Sequence, residues 1–224
     1  MLHSVGCPQP KASVFINSWN SASYGRACVH GFIDGNDGTV YQTLPWNHRG
    51  WHCGGDGNNT HIGVEMCEPS CIKYTGGSSF TCSDKATARA VAKRTYESAV
   101  ELFAMLCKQY NLNPTADGVI ISHREGHSRG IASNHGDPEH LWNGLGMGYT
   151  MDGFRKAVKA KMNGSSNTDH SGTSGLQASA LKNLSEADVI AKVGPLFTAD
   201  QKTSGILASV SLAQFILELS LIHI

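Results

Sequence analysis

What this 224-residue chain lacks narrows its function before any motif is read. It carries no net charge, Lys plus Arg (18) balancing Asp plus Glu (18). No global field therefore draws it to nucleic acid or to an anionic membrane, and neither is expected as a partner. It has no run of the roughly 18 apolar residues that span a bilayer. The first residues lack the basic, then apolar, then small order of a secretory signal, which implies synthesis in the cytoplasm without a visible export device. A disulfide framework is missing too. The seven cysteines (Cys7, Cys28, Cys53, Cys67, Cys71, Cys82 and Cys107) are odd in number and scattered, with no metal-ribbon spacing. They suit reduced thiols, mostly buried as small hydrophobes, although Cys67 and Cys71 are near enough in sequence to pair or to share a metal.

What is present is enough length for a full core, as one domain or one domain with an appendage, and a surplus of histidine, eleven in all. The chain opens on "MLHSVGCPQP", a strand-like stretch holding His3. "PKASVFINSWN" then places Ala12, Phe15, Ile16 and Trp19 at helical spacing behind a proline suited to a first turn. "ACVHGFID" and "GTVYQTLP", separated by "GNDG", read as a hairpin. "RGWHCGGDGNNT" reads as irregular loop, and "HIGVEMCE" alternates like a strand. A long helix is expected from Ser83 to Tyr110, capped by Ser83 or Asp84. "DGVIISH" has strand length and ends in His123, "REGHSRGIASNHGDPEHLW" reads as a long polar loop, and "MDGFRKAVKAKM" as a last helix. The fold class expected is α/β, a central mixed sheet flanked by helices.

Two constellations carry chemistry. His3, His123 and Asp137, delivered by strand ends and a loop, suit an open tetrahedral zinc site with water in the fourth position; each histidine taken singly reads more readily as a hydrogen-bonded scaffold residue than as a ligand. Glu65 interrupts the apolar strand "IGVEMCE", where a carboxylate costs free energy unless it is paired or used. It is either a solvent-facing strand-end glutamate or a general base beside a metal-activated water.

The stretches "LHSVG", "CVHGFIDGNDGTVYQTLPWNHRGWHCGG", "NTHIGVEMCEP" and "ISHREGH…NHGDPEHLW" together resemble the zinc-dependent N-acetylmuramoyl-L-alanine amidases of phage endolysins and bacterial autolysins, relatives of the peptidoglycan recognition proteins. The resemblance covers residues 1 to about 162. It implies zinc held by His3, His123 and Asp137, with His127 and His135 as alternative third ligands, and Glu65 as general base. Where many members carry a lysine two residues before the third ligand, this chain has His135, able to donate to a developing oxyanion when protonated. His30, Trp51 and His52 match positions that line or support the groove. Asn59 shapes a rim loop together with Asn58. Trp46 and Trp51 either stack on a sugar or cover the sheet, and Arg124 and Arg129 are either solvated or a seat for peptide carboxylates. The implied substrate is peptidoglycan, cut at the bond between N-acetylmuramic acid and L-alanine on the bacterial cell wall. A monomer is expected. A non-catalytic binding module of the recognition-protein type is the alternative.

"NGSSNTDHSGTSG" (163–175) has linker composition, closing a domain of 1–162. Residues 176–218 are similar to the opening of bacterial glucosaminidase domains, with Glu218 at the position of the catalytic acid, but the pattern breaks off there. Too short for a core of its own, this piece is expected to be an incomplete domain without glycosidase activity. "LSLIHI" (219–224) matches the translated end of a common sequencing adapter. The first strand starts almost at Met1, so an N-terminal truncation close to His3 is also expected.

Overall fold

A computed structural model describes residues 1–19, 24–25, 27–164, 185 and 188–195. The chain divides into two compact units, Met1–Thr168 and Asp169–Ile224. In the second, residues 188–195 are helical, opening where the Asp188 N–H donates to Ser185 Oγ (3.2 Å). Most of the linker, most of the glucosaminidase-like stretch with Glu218, and all of 219–224 lie outside the described residues.

The first unit runs β1 (Leu2–Ser4), α1 (Ala12–Trp19), β2 (Gly31–Ile33), β3 (Val40–Gln42), α2 (Gly57–Thr60), β4 (Val64–Met66), β5 (Ile72–Gly76), β6 (Ser79–Cys82), α3 (Lys85–Gln109), α4 (His123–Ser128), α5 (Glu139–Leu145) and α6 (Met151–Gly164). The main sheet has the order β1-β4-β2-β3. β4 pairs parallel with β1 and with β2, and β2 pairs antiparallel with β3, so the sheet is mixed, as expected.

Strand periodicity sorts the side chains onto two faces. Leu2, Ile33, Val64 and Met66 join Ala99, Leu102, Phe103 and Leu106 of α3, Phe154 and Val158 of α6, and Trp142 of α5 in the main core. Burying each such side chain contributes about 1.5–3 kcal/mol. On the other face the register sets Glu65 between His3 and Phe32. α1 covers the Phe32 half: Phe15 stacks on Phe32 at 5.4 Å between ring centroids, and Trp19 meets it edge-on at 5.1 Å. The His3 and Glu65 half is left to polar groups. α1 is anchored to the end of β2, its first N–H at Ala12 donating to Asp34 Oδ2 (2.8 Å).

Three expectations change. "DGVIISH" forms no strand; Ile120 and Ile121 are buried, but Ser122 makes only an isolated bridge to Leu2 before the chain turns into α4. The "long polar loop" after it contains α4 and α5. The Gly/Asn-rich loop likewise contains the four-residue α2. The β5–β6 hairpin, not anticipated from the sequence, packs on α5, where Phe80 comes so close to Gly144 that a Cβ there would lie 2.5 Å from its ring. The long helix starts at Lys85, capped by Asp84, whose side chain accepts from the Thr87 N–H (3.0 Å).

Candidate functional site

His123 is aimed by helix capping rather than by a strand end. The Ser122 side chain accepts from the Glu125 N–H (3.0 Å), and Glu125 accepts in return from the Ser122 N–H (3.1 Å). This capping box fixes His123 as the first helical residue. Arg155 of α6 clamps Glu125 through both terminal guanidinium nitrogens (2.9 and 3.0 Å). Asp137 precedes α5 through a cis Asp137–Pro138 bond, and its Oδ2 lies 3.4 Å from the Ser4 N–H on β1.

These elements converge. His3 Nδ1 is 3.1 Å from His123 Nδ1 and 3.2 Å from Asp137 Oδ2, and His123 Nδ1 is 3.5 Å from Asp137 Oδ1. All three residues are buried, and one potential ligand atom from each lies within 4.8 Å of the others. Burial keeps both imidazoles neutral: it holds His3 well below the usual histidine range and brings His123 down to about 4, while raising the Asp137 carboxyl. The donor set of two neutral imidazoles and a carboxylate fits a divalent metal ion. His127, exposed on α4 with Nδ1 3.3 Å from the Ala132 carbonyl, stands outside this group, as does His135.

Glu65 stands beside His3 on the adjacent strand and on the same face. It is 8% exposed, and its Oε2 has no hydrogen-bond partner among the described residues. Burial, then the nearby Asp137, push its carboxyl well above the usual range. Exposed His135 reaches the cluster from the rim, its Nδ1 3.0 Å from Ser133 Oγ and 3.2 Å from His123 Nε2.

Of the positions expected to line or support the groove, His30 and His52 are supports. His30 is 1% exposed; its Nε2 donates to the His48 carbonyl (2.8 Å) and its Nδ1 accepts from the Gly63 N–H (3.0 Å), leaving no polar atom for a ligand. His52 lies behind His3 with both ring nitrogens engaged, and burial lowers its pKa to about 2. Trp46 packs against the core. Trp51 is 54% exposed under the Arg49 guanidinium (5.3 Å), and Arg49 Nε donates to Asn59 Oδ1 (2.6 Å), so these three form one exposed rim. The Arg124 side chain is exposed, while its N–H donates to the Asp137 carbonyl (3.3 Å). Arg129 pairs with Asp117.

Asn58, expected with Asn59 at a rim loop, is buried, and Glu68 was not singled out in the sequence. Asn58 Oδ1 accepts from the His52 and Cys53 N–H groups (2.7 and 3.0 Å), shaping the loop behind His3. Glu68, fully buried, accepts from Ser4 Oγ and from the Tyr74 hydroxyl (2.6 Å each), and burial raises its carboxyl to about 7. For the aim of His123, the available sequence signal was the Ser122-to-Glu125 capping box.

A mixed α/β sheet with a buried His-His-Asp group, able to hold a metal ion, and a buried carboxyl beside it defines the class. A family model described as N-acetylmuramoyl-L-alanine amidase matches residues 1–140, and the chain belongs to that family, whose activity is the hydrolysis of a peptidoglycan amide. Among solved structures the chain is similar to the Staphylococcus aureus hydrolase AmiA in complex with its ligand, with 20% identity and a TM-score of 0.55 over 72% of this chain and 70% of that one. It is also similar to PlyL, with 17% identity and a TM-score of 0.43 over 70% and 80%. At such identity the likeness to AmiA is one of fold. No curated protein sequence matches the chain. No helix of the described residues is long and apolar enough to cross a membrane.

Proposed function

We propose that this chain is a zinc-dependent N-acetylmuramoyl-L-alanine amidase, the lytic module of an endolysin or autolysin acting on the bacterial cell wall. The observation that carries this reading is the pairing of the buried His3, His123 and Asp137 group with the unpartnered Oε2 of Glu65 on the same face of the sheet. His3 Nδ1, His123 Nδ1 and Asp137 would hold the ion. Bound there, zinc supplies Lewis acidity, polarising the scissile carbonyl and lowering the pKa of water. Glu65 takes the proton of the attacking water and returns it to the departing alanine amine, so one carboxyl serves as base and then as acid. His135, at the rim, donates to the oxygen on which negative charge develops. Trp51, Asn59 and Arg124 offer an exposed stacking ring, an amide and a cation to the glycan and stem peptide.

The alternative, a binding module without catalysis, gives Glu65 no task, and burying an idle carboxyl is costly. Digestion of purified cell walls with and without chelator separates the two. New alanine amino groups that disappear with chelator and return with added zinc are the expected result. Wall binding without new end groups overturns the amidase reading, and cleavage that survives chelation overturns the zinc reading.

A further inference from the structure

The outer nitrogen of His3 faces another histidine rather than solvent. His3 Nε2 lies 3.0 Å from His52 Nδ1, and His52 Nε2 lies 3.0 Å from the His61 carbonyl oxygen. A carbonyl oxygen only accepts, so the proton of His52 is on Nε2. A buried ring with no carboxylate among its hydrogen-bond partners is neutral, so His52 Nδ1 is bare and accepts from His3 Nε2–H. His3 then has its lone pair on Nδ1, the atom that faces His123 and Asp137. The opposite assignment has His3 Nδ1–H donating to Asp137 Oδ2 at 3.2 Å. It requires a proton on His52 Nδ1 and sets a bare His52 Nε2 against the carbonyl, two lone pairs 3.0 Å apart in a buried place.

The seat of His52 is built for that ring. A Cβ at Gly63 would lie 2.3 Å from His52 Cγ, and one at Gly50 would lie 2.9 Å from His52 Cδ2. Gly63 is itself tied down by its N–H to His30 Nδ1 (3.0 Å), and the His52 N–H by Asn58. We propose that His52 is a positioning residue that locks His3 in the Nε2–H tautomer, so that the Nδ1 lone pair is directed at the metal before the metal arrives. The proposal rests on reading the cluster as a zinc centre, and second-sphere partners of this kind typically change metal affinity by about 10- to 100-fold.

Two measurements on the full chain test it. Long-range proton–nitrogen correlation NMR of the metal-free protein reports each imidazole tautomer: Nε2–H is expected for both His3 and His52, and an Nδ1–H signal for His3 overturns the proposal. Zinc affinity is then measured by competition with a chromophoric chelator. His52→Leu, which leaves the His3 Nε2–H without an acceptor, is expected to weaken binding by about 10- to 100-fold. His52→Asn, whose Oδ1 stands close to where Nδ1 was, should restore most of that loss. Unchanged affinity in His52→Leu, or an Asn variant no better than Leu, overturns the proposal. Failure of the parent chain to bind zinc overturns the zinc reading instead, and the metal-free spectrum still decides the tautomer.

Discussion

On one face of the sheet Leu2, Ile33, Val64 and Met66 meet α3 and α6 without a polar atom among them; on the other, one residue along the same strands, His3 and Glu65 meet His123 and Asp137. Both faces are buried, yet burial acts on them in opposite senses. On the first it is the source of stability. On the second it shifts His3, His52 and His123 down and Glu65 and Asp137 up, each shift a measure of desolvation that folding has to overcome. The apolar face thus holds in place a polar face that would not be assembled for its own stability. Substitutions should separate the two: function lost without stability on one side, stability lost without chemistry on the other.

The sharpest break is Glu65→Gln. It keeps the shape of the side chain and removes its basicity, so turnover should fall by about 10²- to 10⁴-fold, the usual span for a general acid-base group. Zinc stoichiometry should be unchanged, and the metal-free variant should unfold no more easily than the parent at neutral pH, because the desolvated carboxylate whose pKa burial raises is gone. Loss of the metal with this change would mean that Glu65 is a ligand and not a base. The counterpart on the apolar face is Phe154→Ala, at a fully buried ring between Tyr96 and Phe103. It should lower stability by about 3–5 kcal/mol in denaturant unfolding, while the surviving folded fraction keeps its activity per zinc bound. Parent-like stability there would place the core elsewhere.

The sequence made the apolar face readable, because α3, α6 and the strands carry their periods openly, and four charged or polar positions stood out against that pattern: His3, Glu65, His123 and Asp137. Their supports did not stand out. His30 and His52 looked as suited to a groove wall as to a scaffold, since nothing local encodes that His61 or His48 will bring a carbonyl to their far side. "VIIS" has strand composition, but the capping box that follows it turns the chain after a single bridge, so local capping overrode β-propensity. The β5–β6 hairpin needed the glycines at its Gly77–Ser78 turn to be taken at face value, Gly76 and Gly77 both having positive φ.

A smaller effect probes a third kind of burial, a carboxyl that neither packs nor reacts. Glu68, just past β4, has its folded pKa raised to about 7. In the window between the ordinary carboxyl value and 7 the folded state holds a proton that the unfolded state has released, so stability falls as pH rises through that window and levels off above it. Glu68→Gln removes this contribution. The variant should therefore gain on the parent by on the order of 2–3 kcal/mol between pH 5 and pH 8, read as the change in the difference of unfolding free energies, in which the titrations common to both proteins cancel. A difference independent of pH would show that the Ser4 and Tyr74 hydroxyls stabilise the ionised form fully.

The smallest effects come from two helix caps, one on each side of the comparison. Asp84 caps α3, whose buried side belongs to the apolar core, and Ser122 caps α4, whose first residue is His123. Removing either cap by alanine substitution should cost about 1 kcal/mol of stability, Ser122 somewhat more because its hydroxyl also donates to Glu139 Oε1 (2.8 Å). Their consequences for the site should differ. Asp84→Ala leaves every residue of the cluster in place, so zinc affinity should match the parent. Ser122→Ala frees the turn that aims His123, so a site that depends on that aim should bind zinc measurably more weakly at a similar loss of stability. Equal zinc affinity in the two variants would show that His123 is held by its contacts to His3, Ser133 and Asp137 alone, and that the capping box contributes stability but no orientation.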